Sequence, residues 1–129
     1  MIVNLTLDES TQKLIFPKIQ LNDEKKWEIA FVSFIGIFPS GLESDGIYRL
    51  HTNMINRDQF NQQQDIIFTA LKRGATYMEI QPTQSIKYKL RFHDFTTAVV
   101  AFYKIDSTQK LQFKSAALQL EITETYGRF

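Results

Sequence analysis

The chain has 129 residues, of which 43% are apolar and 22% charged; this suits one globular domain with its own core and excludes wholesale disorder. A formal net charge of +1 lacks the basic excess on which duplex binding draws, so nucleic acid is not an expected partner. The absence of cysteine removes both a disulfide framework and a thiolate metal site.

The first segment, Val3 to Leu7, alternates apolar and polar residues as a half-buried strand does. Its start lacks a basic stretch and a cleavage site, so no secretory signal is expected. Lys13 to Phe16 reads as a second short strand closed by Pro17, and Ile19 to Leu21 as a third before the polar turn Asn22 to Lys26. Trp27 to Phe38 is the strongest element. Strict alternation puts Trp27, Ile29, Phe31, Ile35 and Ile37 on one face and Ala30, Val32, Phe34 and Phe38 on the other. A strand apolar on both faces needs cover on both. The stretch is too short and too interrupted, by Glu28, Ser33 and Gly36, to span a membrane.

Pro39 to Gly46 is rich in turn formers, and Ile47 to Thr52 follows as a strand. Asn53 to Gln64 reads as a polar surface loop, with Phe60 in it requiring cover from the core or from a partner. Asp65 to Lys72 fits strand and short helix equally. Tyr77 to Gln81 and Ile86 to Phe92 alternate, the latter with Lys87, Lys89 and Arg91 on one face. Ala98 to Ile105 is a second strongly apolar strand; a turn at Asp106 to Lys110, a return strand Leu111 to Phe113 and a last strand Leu118 to Thr123 complete the set. About eight or nine short strands without a sustained helical period predict an all-β fold, an antiparallel β-sandwich of single jelly-roll type.

Groups that could carry chemistry are sparse. His51 and His93 are the only histidines, and His93-Asp94 is read as a turn and not as a base with its orienting partner. No metal-ligand spacing is present, and Glu28, Glu79 and Glu121 read as surface charge and not as a glycosidase pair. Lys72-Arg73-Gly74 reads as a turn with solvated cations in preference to an anion site. No enzyme activity and no cofactor are expected.

The run Leu21 to Phe34, with its polar turn before Trp27-Glu28-Ile29-Ala30-Phe31-Val32-Ser33-Phe34, resembles the start of small jelly-roll capsid proteins of eukaryotic double-stranded DNA viruses and of Polinton/Maverick-type elements. The later order is similar: Tyr48-Arg49-Leu50 after Gly46, Asp65-Ile66-Ile67-Phe68 after a polar loop, then Tyr77, Tyr88, Phe95, Ala98 to Phe102, and Leu118 to Ile122. The resemblance implies a minor capsid, penton-like or spike subunit of a virion, with other capsid proteins as partners. It brings no catalytic residue.

The residues themselves also point to assembly. A two-faced apolar strand in so small a domain finds its second cover most simply in another copy, predicting a homo-oligomer such as a trimer or pentamer. Trp27, Phe31, Phe34, Phe38 and Phe60 are the candidate interface residues. The alternative is a carbohydrate- or protein-binding sandwich of lectin type.

Overall fold

The computed structural model describes residues 1–22, 24–56, 64–82, 86–90, 100–105 and 107–125. Among the described residues there are ten strands: β1 (Ile2–Asp8), β2 (Lys13–Ile15), β3 (Lys26–Ile37), β4 (Gly46–Thr52), β5 (Ile55–Asn56), β6 (Gln64–Leu71), β7 (Tyr77–Ile80), β8 (Lys87–Leu90), β9 (Val100–Lys104) and β10 (Ser115–Thr125). Every pairing between them is antiparallel. A seven-stranded sheet runs β2-β1-β10-β3-β8-β5, with β7 also on β3; a three-stranded sheet runs β6-β4-β9. The protein is thus an all-β antiparallel sandwich, as its periodicity predicts.

Alternation places the core between the two sheets. Val3 and Leu5 of β1, and Leu118, Leu120 and Ile122 of β10, point inward at every second position. Tyr48 and Leu50 of β4 and Phe102 of β9 meet them from the small sheet. Asp65 to Lys72, ambiguous by period, is strand β6 through Leu71. Ile19 to Leu21 forms no strand, although Leu21 is buried in the core. Leu111 to Phe113 also lies outside the named strands, yet Leu111 N–H donates to Phe102 O at 2.9 Å and Phe113 packs inside.

The longest strand departs from strict alternation. Ser33 pairs with Gln119 and Phe31 with Leu120, so Val32 is left without a partner. This is a β-bulge: one extra residue, after which every side chain changes face. Before it, Ile29 and Phe31 point into the core; after it, Phe34, Gly36 and Phe38 do. The face expected to hold Ile29, Phe31, Ile35 and Ile37 together is therefore split. Ile35 and Ile37 turn outward, and the buried residues that strict alternation assigned to opposite faces lie on one.

A second local constraint closes the first hairpin. Gln12 holds φ 57°, a left-handed conformation uncommon for a residue with a side chain. Its side chain stabilises the turn against the far end of the sequence: Gln12 Nε2 donates to Phe113 O at 2.8 Å, and Phe113 N–H donates to Gln12 Oε1 at 2.8 Å. Lys110 Nζ donates to Gln12 O at 2.8 Å.

Candidate functional site

Among the described residues, the space between the sheets is too small for a ligand. The cavity between the sheets, bounded by Ile29, Phe31, Leu50, Met54, Ile55 and Leu120 among others, measures about 10 Å³, at the lower limit for a single water. Its walls are almost wholly apolar, so even one water would find few partners. Among the described residues, no group of His, Asp and Glu side chains could hold a metal. No described helix is long and apolar enough to cross a membrane.

Of the three carboxylates, Glu28 and Glu121 are diagonal neighbours on paired strands, and Glu79 stands apart from them. Glu79 lies opposite Ile35, and Glu28 lies seven positions back along β3, a separation of roughly 23 Å at about 3.3 Å per residue, well beyond a glycosidase pair. Glu28 faces Lys89 in register, and Glu121 faces Ala30, all on the outer side of the large sheet. Lys87 faces Ala30 on that same side; Arg91, His93 and Asp94 lie outside the described residues. The turn Lys72-Arg73-Gly74 is not an anion cradle, because its amides are already used. Arg73 N–H donates to Asp45 Oδ1 at 2.7 Å, Gly74 N–H to Leu42 O at 2.8 Å, and Ala75 N–H to Lys72 O at 3.1 Å. Gly74 has the positive φ of 86° that makes this turn possible.

Among the described residues, two groups have perturbed titration. The Asp8 carboxyl is held below its usual value by hydrogen bonds from the Ser10 and Thr11 hydroxyls, within an exposed turn. Burial, with Lys13 nearby, lowers the Lys110 ammonium below its usual value. Lys110 is anchored on the Gln12 carbonyl and so belongs to the turn closure already described.

His51 belongs to a small cluster on the outer side of the three-stranded sheet. The Arg49 guanidinium lies 5.3 Å from the Tyr103 ring centroid, and His51 meets the same ring edge-on at 5.5 Å. Arg49 Nη1 is 3.4 Å from His51 Nδ1. Arg49 Nη2 also donates to Ser107 O at 3.3 Å. These contacts tie β4 to β9 and account for the cluster structurally.

The residues expected at an interface are placed differently. Phe31, Phe34 and Phe38 are buried in this chain's own core, and Trp27 is half-buried against it, its Nε1–H donating to Asn22 O at 2.9 Å. They leave no broad surface for another copy; Phe60 lies outside the described residues. The bulge brings other residues out. Ile35 and Ile37 are 47% and 46% exposed, and Tyr77, in register with Ile37, is 60% exposed. Ala117 opposite Ile35, and Thr6 and then Ile15 beyond it, continue one outward row. From β2 to β7, where Glu79 lies opposite Ile35, this row crosses five strands, roughly 19 Å at about 4.8 Å per strand. Sequence reasoning missed Ile35 and Ile37 because only the bulge turns them away from the core.

Compared with protein-family models, with curated proteins and with solved structures, the chain matches none.

Proposed function

We propose that the protein is a structural assembly subunit, a capsid or capsid-associated protein of jelly-roll type, that binds further copies of itself through the outer face of its large sheet. The observation that carries this reading is the exposed apolar group Ile35, Ile37 and Tyr77, with Ile15 farther along the same face beyond Ala117 and Thr6. Contiguous exposed apolar side chains on a small protein are a mark of interaction surfaces. Two further features support it. No inter-sheet cavity of ligand size exists among the described residues, and no metal-binding cluster accompanies the row. The expected homo-oligomer, a trimer or pentamer, thus gains a different surface from the one that strict alternation suggests.

The test is the mass in solution of the wild type and of Ile35→Lys. The wild type should form a discrete assembly of more than two copies. Ile35→Lys, with its substitution on the exposed face, should keep the melting temperature within a few degrees. It should weaken the assembly at least about tenfold, because an ammonium would have to be buried against apolar neighbours. A wild type that never exceeds two copies at high concentration would rule the proposal out.

A further inference from the structure

The two edges of the small sheet are finished differently. At β9 the chain covers its own edge: Lys104 N–H donates to Gln109 O at 2.9 Å, Leu111 N–H donates to Phe102 O at 2.9 Å, and Tyr103 bridges Lys110. At the other end β6 pairs with β4 alone among the described residues. It is 8 residues long, an edge of roughly 27 Å at about 3.4 Å per residue. The edge strands of the large sheet are shorter, with 3 residues in β2, 2 in β5 and 4 in β7. Natural edge strands are blunted by lysine, proline or a bulge. β6 contains no lysine and no proline, and its one irregularity, the unpaired Ile66, lies near its start. From Ile67 to Leu71 the strand is regular.

We propose that β6 is a docking edge for a second copy of this chain. Two β6 strands pair antiparallel about a two-fold axis at Thr69, fusing the two small sheets into one continuous sheet. The strand is complementary to itself in this register. Phe68, 59% exposed, falls opposite the small, exposed Ala70 of the second copy, and the reverse contact repeats it. On the inner side the half-buried Ile67 falls opposite Leu71 of the second copy, and Thr69 opposite its own equivalent. Charge gives the same direction. The strand runs into Lys72 and Arg73 at its end. Antiparallel pairing keeps these cations of the two copies at opposite ends, whereas parallel pairing would set like against like.

The inference relies on the assembly reading only in naming a second copy as the occupant. It adds a contact of a different kind. An isologous edge contact closes at two copies, so an assembly that grows further needs it together with a second surface, here the outward face at Ile35.

The experiment uses the lack of cysteine in the chain. Under mild oxidation Thr69→Cys should give a covalent dimer in high yield. Phe68→Cys and Ala70→Cys should crosslink poorly alone and efficiently when mixed. In the Ile35→Lys background, the species remaining should be a dimer, and adding Ala70→Lys should convert it to a folded monomer with at least a tenfold weaker association. Failure of Thr69→Cys to crosslink, with association unchanged by Ala70→Lys, would overturn the edge contact while leaving the outer-face reading intact. Efficient Thr69→Cys crosslinking in a wild type that stops at two copies would do the opposite.

Discussion

The two ends of the core are packed on different terms. At one end four phenylalanines interlock. Phe34 lies 4.8 Å from Phe102 and 5.4 Å from Phe113, and Phe38 stacks on Phe113 at 5.4 Å with ring planes 22° apart. At the other end, mostly aliphatic side chains, Ile29, Leu50, Met54 and Ile55 among them, surround the gap of about 10 Å³ together with Phe31 and Tyr88. Rings have few orientations and large areas, so a cluster of them fixes one arrangement of the two sheets. Aliphatic chains and a methionine fill space by changing rotamer and leave slack. The aromatic end should therefore set the sandwich geometry, and the aliphatic end should tolerate change.

The sharpest challenge to that contrast is Phe34→Ala. Phe34 is only 1% exposed and touches two of the other rings. Its loss should cost about 3–5 kcal/mol of folding stability, measured by urea unfolding. Ile55→Val, at the aliphatic end, should cost only about 0.5–1.5 kcal/mol. Equal costs would mean that the two ends are not distinct.

Overfilling separates them as well. A Cβ added at Gly36 would lie 2.5 Å and 2.7 Å from two carbons of the Phe113 ring and 2.9 Å from Phe34. These are impossible contacts, so the rings must shift. Gly36→Ala should destabilise by about 1–3 kcal/mol. It should also change the near-ultraviolet circular dichroism, since the displaced groups are aromatic. A variant with wild-type stability and an unchanged spectrum would show that the ring cluster is not tightly determined.

Much of this architecture was legible in the residues. Val3 and Leu5, or Leu118, Leu120 and Ile122, announce their inward face by alternation, because period two is the pleat itself. The bulge was not legible. It falls at Val32, an ordinary strand residue, and is defined by the partner strand, where Gln119 and Leu120 pair on either side of it. Strict alternation across that point made one buried face look like two, and so turned core phenylalanines into interface candidates. That β6 is an edge strand among the described residues was also hidden, since strand order is a long-range property and Asp65 to Lys72 has no clean period of its own. Lys72-Arg73-Gly74, read from the residues as a turn in preference to an anion site, is a turn whose Arg73 and Gly74 amides donate to Asp45 and Leu42.

The smallest effect tests whether slack at the aliphatic end extends to its one polar group. Thr52 is 2% exposed, and Met54 N–H donates to its Oγ1 at 3.1 Å. Thr52→Val keeps the shape and removes the acceptor, leaving a buried amide without this partner. The expected loss is about 1 kcal/mol. Thr52→Ser keeps the acceptor and removes one methyl group, worth up to about 0.8 kcal/mol if nothing refills the space. Beside a flexible Met54 and an existing gap, refilling is easy, so serine should cost less than valine. Hydrogen exchange gives an independent reading: the Met54 amide should exchange faster in the valine variant and stay protected in the serine variant. The reverse order would place the sensitivity of this end in its packing and remove the contrast with the ring cluster.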